Sequence, residues 1–229
     1  IMQTDIAKNI KTISSRIDKC CSKAGINPKL VSLVAVSKKK SIEYINEALN
    51  TGIKDFGENY AQELKEKEQS LFASGIVWHF IGPLQSNKVN TIANSASWIH
   101  TLDREKIILK LNAACKEINK KINGLIQVNV SSESSKSGCD PKEMIDLASI
   151  IDSSSHINLK GIMALPDISA EFNKRDLQMK KVIELSEQLK SKFPDAKEIS
   201  LGTTNDFEDA IAHGSSIVRI GSSIFGERE

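Results

Sequence analysis

A lysine at the end of an apolar run is the residue of this chain with the clearest capacity for chemistry. The β-branched stretch 33–36 is followed by Ser37 and Lys38, and two further lysines occupy positions 39 and 40. In α/β proteins, side chains at the carboxyl end of a buried strand lie where ligands bind and react. Partial desolvation there lowers the pKa of an amine and frees a nucleophile that forms a Schiff base with an aldehyde. Three adjacent lysines are equally compatible with a solvated loop, because lysine is rarely buried.

Two loops near the other end of the chain combine glycine with hydroxyl residues, as phosphate sites do. The first begins Gly202-Thr203-Thr204 and precedes a helical segment, and the second is Gly221-Ser222-Ser223. Glycine lets the backbone approach a ligand closely, hydroxyls donate hydrogen bonds, and a helix N-terminus presents free N–H groups. Each tripeptide is also typical of an ordinary turn or helix cap. Neither belongs to a Walker loop or a dinucleotide fingerprint, since the sequence contains no GxxxxGK(S/T) and no GxGxxG.

An arginine precedes the second of these loops. Arg219 lies two residues before Gly221 in a predicted strand, so the two residues should face the same side. An arginine that points into a barrel keeps its charge and needs an acceptor. A structural salt bridge and a ring nitrogen of a ligand are both compatible with this position.

Eight apolar runs alternate with amphipathic segments, and this alternation sets the candidate residues in a common frame. The predicted strands cover residues 30–36, 54–57, 77–81, 98–101, 124–130, 159–164, 198–201 and 217–220. Strands separated by helices imply a parallel sheet with right-handed crossovers. Eight such strands close a TIM-type (β/α)8 barrel, in which the loops after strands seven and eight often bind phosphate.

The start of the chain predicts one further helix outside this alternation. Residues 4–24 carry a helical stripe of isoleucines at positions 6, 10, 13 and 17. Few residues follow strand eight, so this extra N-terminal helix would cover the surface that a last barrel helix usually covers. No linker or internal repeat divides the sequence. We therefore expect residues 2–229 to form a single α/β domain.

Composition and charge exclude several classes of protein. The 229 residues include 31 basic and 29 acidic side chains, and a net charge of +2 lacks the electrostatic footprint of a nucleic-acid or membrane-surface protein. No apolar run approaches the roughly 20 residues that span a bilayer, and residues 2–5 lack the pattern of a secretion signal. The four cysteines form no CxxC pair or metal-ligand spacing. We expect a cytoplasmic protein with reduced thiols and no metal, in which His100, His156 and His213 are surface or packing residues.

Five blocks of sequence carry a resemblance to a known family. They are VAVSK at 34–38, DFGENY at 55–60, WHFIGPLQSNK at 78–88, QVNV at 127–130 and VRIGSSIFG at 218–226. The tracts at 160–164 and 206–211 also fit. Taken together, the chain resembles the pyridoxal phosphate homeostasis proteins, which are small single-domain relatives of the alanine racemase barrel. The blocks FGENY and HFIGPLQSNK are the most specific parts of this match.

The resemblance implies that one lysine of the three binds the cofactor pyridoxal 5'-phosphate (PLP). Lys38 would form the internal aldimine, whereas Lys39 and Lys40 would remain solvated in the loop. Asn59 and Met163 would line the ring pocket, with Asn59 on the Lys38 side.

The resemblance also assigns the far end of the cofactor. Thr204, Gly221 and Ser222 would hold the phosphate, and Arg219 would face the pyridine nitrogen. The family usually has Met-Ser at positions 203 and 204, but Thr204 keeps the hydroxyl. Thr203 replaces an apolar side chain with a polar one.

Several family positions receive no firm role. His79, Asn87 and Lys88 belong to the third block, and Lys136 stands where the family also carries a lysine. The loop 131–138 around Lys136 follows strand five, so it would lie at the barrel mouth and could act as a lid. Lys136 is a candidate for a secondary cofactor or transfer site.

Binding of PLP need not imply catalysis. An arginine opposite the pyridine nitrogen disfavours its protonation, and this weakens the ring as an electron sink. Related racemases add a second domain and a tyrosine from a partner subunit, whereas this chain contains only Tyr44 and Tyr60. We expect a monomeric, non-catalytic carrier that buffers PLP and delivers it to PLP-dependent apo-enzymes. The alternatives are a small PLP-dependent racemase or lyase, and a regulatory protein that binds an enzyme.

Overall fold

The computed structural model describes residues 4–131, 133, 137–167 and 171–227, and within them eight parallel strands close a barrel. Each strand pairs with the next along the chain, and the last returns to pair with the first. The expected (β/α)8 barrel is therefore confirmed. The strands are β1 Ser32–Val36, β2 Asp55–Glu58, β3 Val77–Phe80, β4 Trp98–Leu102, β5 Ile122–Gln127, β6 Ile157–Met163, β7 Glu198–Ser200 and β8 Ile217–Ile220.

Helices surround the barrel, and an extra one precedes β1 as the isoleucine stripe predicted. The Asp5 side chain accepts from the Lys8 N–H at 3.0 Å at the start of this first helix, and Gly25 ends it with φ of 68°. The helix packs on the second, eighth and ninth helices. The helices are α1 Ile6–Ala24, α2 Ile42–Leu49, α3 Ala61–Ser70, α4 Val89–Ser95, α5 Glu105–Glu117, α6 Met144–Asp152, α7 Phe172–Lys192, α8 Phe207–His213 and α9 Ser222–Phe225.

Some element bounds differ from the sequence prediction for local reasons. Strand β1 begins at Ser32 because Pro28–Leu30 forms a 3₁₀ turn. Strand β5 ends at Gln127, since Val128 leaves the sheet ladder and pairs with Cys139. Helix α4 starts only at Val89, because a second 3₁₀ turn at residues 86–88 precedes it.

Successive side chains on each strand point to opposite faces, so the barrel separates two packed layers of side chains. On β1, Ala35 belongs to the main core, which lies between the strands and the helices. Val34 faces the other way and packs with Leu125, Met163 and Ile217 in a second, smaller cluster. This inner layer lies beneath the residues at the carboxyl ends of the strands.

Candidate functional site

A cavity of about 360 Å³ opens at the carboxyl end of the barrel strands. This volume lies within the range of small-molecule sites. The cavity brings together all the residues that the family resemblance singled out: Lys38, Asn59, Met163, Thr204, Arg219, Gly221 and Ser222. They come from the ends of β1, β2, β6, β7 and β8, so barrel closure is what makes them neighbours.

Lys38 lies in a tight turn directly after β1. The Lys40 N–H donates to the Ser37 carbonyl at 3.0 Å, so Lys38 and Lys39 are the two central residues. Lys39 has a φ of 61°, in the left-handed region that such turns usually give to glycine. The Lys38 side chain is half-buried and lines the cavity.

The two neighbouring lysines differ from each other. Lys39 is exposed, as expected, and its ammonium lies 5.9 Å from the centre of the Tyr60 ring. Lys40 is half-buried and lines the cavity, and its Nζ donates to the Glu227 carbonyl at 3.1 Å. Lys40 thus borders the cavity while its ammonium stays at the exposed surface.

The side of the cavity formed after β7 and β8 is rich in hydroxyl groups. The Thr204 and Ser222 hydroxyls lie 3.5 Å apart. The backbone N–H of Thr203 already has a partner, because it donates to the Asp206 carboxylate at 2.7 Å. Gly202 has a φ of 105°, and a Cβ there would lie 2.8 Å from the Ala210 Cβ, so only glycine lets α8 approach β7 this closely.

Asn59 provides a polar group that the protein itself leaves unsatisfied. Its Oδ1 is buried and has no hydrogen-bond partner in the protein. Gly82 fixes the adjacent backbone, since a Cβ there would meet the Asn59 carbonyl oxygen at 2.1 Å. A buried acceptor without a partner costs free energy unless a ligand or water donates to it.

Arg219 closes the cavity from below and is almost wholly buried. Its guanidinium donates to the Ser200 hydroxyl and to the Ala164 carbonyl, the latter at 3.3 Å. Burial lowers the pKa of Arg219 to about 10, so the guanidinium is still charged at neutral pH. The structural salt bridge considered from sequence is absent from the ion pairs of the described residues.

A line of hydrogen bonds runs from Arg219 through the barrel interior to its opposite end. His100 Nδ1 lies 2.8 Å from the Ser200 Oγ, and its Nε2 lies 2.9 Å from the His79 Nδ1. His79 Nε2 in turn lies 2.8 Å from an Asp55 carboxylate oxygen. We call these five side chains the histidine relay.

One consistent set of hydrogen-bond directions satisfies every member of the histidine relay. Arg219 only donates, so the Ser200 oxygen accepts from it and the Ser200 proton can go to His100 Nδ1. Burial lowers the pKa of His100 well below its usual value, so the ring is neutral and carries its one proton on Nε2. That proton goes to His79 Nδ1, and His79 donates through Nε2 to Asp55. All donors therefore point from Arg219 towards Asp55.

The histidine relay was missed by the sequence interpretation. His100 is fully buried inside the barrel and is neither a surface residue nor a simple packing residue. Strand alternation was the available signal, because inward-facing positions on β3, β4, β7 and β8 had to include polar residues. His213 Nε2 lies 2.8 Å from an Asp176 carboxylate oxygen on the outside of the barrel, which agrees with the expectation of a surface or packing residue.

A second cavity of about 470 Å³ adjoins the first at Thr203, Leu165 and Arg219. The fourth family block contributes Gln127 and Asn129 to its wall. Lys136 lies outside the described residues, as does most of the adjacent loop, so its candidate role stays a prediction.

The described part of the chain offers neither a metal centre nor a helix that spans a membrane. No group of three or more His, Cys, Asp or Glu side chains there could hold a metal ion. None of the helices in those residues is long and apolar enough to cross a bilayer.

Comparison with known proteins matches the chain over nearly its whole length. The profile of the family described as Alanine racemase, N-terminal domain, matches residues 4–229. A pyridoxal phosphate homeostasis protein of Haemophilus influenzae is 42% identical over 228 residues, which cover 98% of this chain and 96% of that protein. The protein of the same name from Vibrio cholerae is 41% identical over 229 residues, or 98% and 97% of the two chains.

Solved structures also superpose on most of this chain. A protein of unknown function from Bifidobacterium adolescentis superposes with a TM-score of 0.90 at 29% identity, covering 96% of this chain and 94% of that one. PipY of Synechococcus elongatus with PLP bound gives a TM-score of 0.80 at 25% identity, covering 92% and 100%. An alanine racemase of Clostridium difficile shares the fold at 11% identity and a TM-score of 0.75, with 96% of this chain covering 57% of that one.

Proposed function

We propose that this chain, which belongs to the pyridoxal phosphate homeostasis protein family, binds PLP in the cavity above Arg219 and buffers or delivers it within the cell. One observation carries the proposal. An amine, a buried guanidinium and a pair of hydroxyls line a single cavity of small-molecule size, at the positions of Lys38, Arg219, Thr204 and Ser222. Its relative PipY has been solved with PLP bound.

The donor set suits the functional groups of PLP. Lys38 offers an amine for the aldehyde, and the hydroxyls of Thr204 and Ser222, with the backbone at Gly221, offer donors for the phosphate. Arg219 donates towards the pyridine nitrogen. The unsatisfied Oδ1 of Asn59 offers an acceptor within the same cavity, where Met163 adds apolar contact for the ring.

The Lys38 amine supplies the covalent part of the binding. Its nitrogen would bond to the aldehyde carbon of PLP, with release of one water molecule. When bound, PLP would supply this aldehyde and a ring that can act as an electron sink. Arg219, which keeps its positive charge at neutral pH, would face the ring nitrogen and disfavour its protonation, so the sink would be weak.

We propose further that the chain is a carrier and not an enzyme. Among the described residues that line the cavity, the titratable side chains are Lys38, Lys40 and Arg219, and no carboxylate, tyrosine or histidine is present as a second acid or base. We also propose that residues 2–229 act as one PLP-binding domain, as a cytoplasmic monomer, with PLP-dependent apo-enzymes as recipients.

The covalent role of Lys38 can be tested directly. Purified protein is mixed with PLP, reduced with borohydride and digested, and the modified peptide is identified by mass spectrometry. We expect the label on Lys38, with the visible absorbance of the imine. Lys38→Ala should lose both signals, whereas the exposed Lys39→Ala should keep both. Imine absorbance that persists unchanged in Lys38→Ala would contradict the assignment.

The alternative of a racemase or lyase needs a separate assay. The loaded protein is incubated with each amino acid in deuterated water, and exchange of the α-proton is followed by NMR. Reproducible turnover that depends on Lys38 would establish an enzyme and refute the carrier proposal. Size-exclusion chromatography with light scattering tests the proposed monomer.

A further inference from the structure

The turn that carries Lys38 is held on both sides by charged side chains of α3. On one side, the Lys67 ammonium donates to the Ser37 carbonyl at 2.7 Å. On the other side, the Lys39 N–H donates to the two carboxylate oxygens of Glu63, at 2.7 and 3.2 Å. The peptide groups that flank Lys38 are therefore bound from outside the turn, in addition to the hydrogen bond that closes it.

Lys67 uses its full hydrogen-bonding capacity in this arrangement. Besides the Ser37 carbonyl, its Nζ lies 2.6 Å from Glu58 Oε1 and 3.3 Å from Glu63 Oε1. An ammonium group has three donors, and here each has an acceptor. The Lys67 side chain is only 8% exposed, so these bonds are protected from competition by water.

Glu58 completes the cluster at the end of β2. It is fully buried, and its Oε1 also accepts from the Ser37 hydroxyl at 2.7 Å. Burial raises the pKa of Glu58 to about 8, with the neighbouring Glu63 adding to the effect and Lys67 opposing it. The cluster therefore brings two carboxyl groups and one amine together beside the turn.

The turn needs such support because of its backbone. Lys39 is not a glycine, yet it has a φ of 61°, which costs free energy for a residue with a Cβ. Glu63 binds the N–H of that same residue. The cluster thus opposes relaxation of the turn, and relaxation would move the Lys38 side chain.

We propose that Glu58, Glu63 and Lys67 are positioning residues, which we call the lysine clamp, and that they hold the Lys38 amine in the orientation from which it reacts with an aldehyde. This proposal rests on the proposed function, in which Lys38 forms the covalent bond. None of the three clamp residues lines the cavity itself, so they act through the backbone of the turn.

A comparison of two ligands tests the clamp. PLP requires the Lys38 amine, whereas pyridoxine 5'-phosphate has an alcohol in place of the aldehyde and cannot form the bond. In Glu63→Ala we expect the rate of borohydride-trappable bond formation with PLP to fall by about tenfold. The dissociation constant for pyridoxine 5'-phosphate should stay within about twofold, because the clamp touches only the lysine turn.

Three further variants make the result specific. Glu63→Gln should recover most of the rate, since an amide oxygen still accepts from the Lys39 N–H. Glu66→Ala removes an exposed carboxylate of α3 that binds Gln62 at 3.0 Å, and it should behave like the unmodified protein. Lys67→Met removes the bond to the Ser37 carbonyl and should slow bond formation as Glu63→Ala does.

The outcomes separate this proposal from the one on which it rests. Failure of the unmodified protein to be labelled on Lys38 refutes the proposed function. Labelling of Lys38 at an unchanged rate in both Glu63→Ala and Lys67→Met refutes the clamp alone. An equal loss of affinity for both ligands in these variants also refutes it, because the cluster would then support the whole cavity.

Discussion

The two cationic residues that define the cavity, Lys38 and Arg219, are supported in opposite ways. Lys38 stands on a turn that charged side chains of α3 hold from outside the barrel. Arg219 is held from inside the barrel by the Ser200 hydroxyl and the Ala164 carbonyl, and Ser200 is in turn bound to His100, which burial keeps neutral. The lysine clamp binds backbone atoms, whereas the histidine relay binds the guanidinium itself.

This difference matches what each cation would do under the proposed function. Lys38 would form and release a covalent bond, and the contacts of α3 fix the backbone of its turn. Arg219 would face the ring nitrogen, and its head group is bound by the Ser200 hydroxyl and the Ala164 carbonyl.

Removal of the clamp's central cation is expected to give the largest effect on stability. Lys67→Ala leaves Glu63, Glu58 and the Ser37 carbonyl without their shared donor, and each acceptor left buried without a partner costs about 1–3 kcal/mol. Urea unfolding measures the loss. Lys65→Ala, an exposed lysine on the same helix, should change the unfolding free energy by less than about 0.5 kcal/mol. Equal effects of the two variants would mean that the clamp is no stronger than a surface pair.

A smaller effect is expected when the relay is cut at Ser200. Ser200→Ala removes the acceptor of Arg219 and leaves His100 Nδ1 buried without its donor, at a cost of about 1–3 kcal/mol. PLP affinity should also fall, because Arg219 is no longer oriented. Ser186→Ala is the matched control, since its hydroxyl is buried without any partner and its removal should be nearly neutral. A comparable loss in both variants would show that the relay adds nothing beyond packing.

The last expected effect is a pH dependence of stability, to which the clamp contributes through Glu58. The folded state holds the Glu58 carboxyl proton with a pKa of about 8, against 4.5 for the ordinary side chain. Between these values the folded protein binds more protons than the unfolded chain, so its stability falls as pH rises through this window. In Glu63 the pKa is lowered instead, so its contribution changes only at more acidic pH.

Glu58→Gln isolates this pH effect. The amide cannot ionise but keeps a hydrogen-bonding head group, so the slope of unfolding free energy against pH should flatten between about pH 5 and 8. The other titratable groups are the same in both proteins, so their contributions cancel in the comparison. Identical slopes in the two proteins would show that Glu58 does not hold the proton responsible for the pH dependence.

Most of the fold could be predicted from the sequence, and the reason is local. Strand alternation and the apolar runs depend on neighbours in the chain, and so does the isoleucine stripe of α1. The errors in the predicted fold lie at the ends of the elements. Strand β5 stops at Gln127 because Val128 pairs with Cys139 across a loop, and no local sequence pattern predicts such a pairing.

The candidate site was predictable to a similar depth. Lys38, Arg219 and the two hydroxyl loops follow strand ends, and closure of a barrel brings strand ends to one rim. The contacts of Lys40 with the cavity and the Glu227 carbonyl were not predicted, because they depend on a turn with positive φ at Lys39 that composition does not reveal.

The amino-acid sequence by itself determined the barrel and placed the lysine run and the two hydroxyl loops at strand ends, since each follows from short-range order, and the family resemblance singled out Lys38. Only the tertiary structure decided what supports them. Lys67 binds a carbonyl 30 residues away, and His100 binds a hydroxyl 100 residues away. Such pairs arise only when the closed barrel sets the register of distant strands and helices, and burial then gives their charges and protons the states described above.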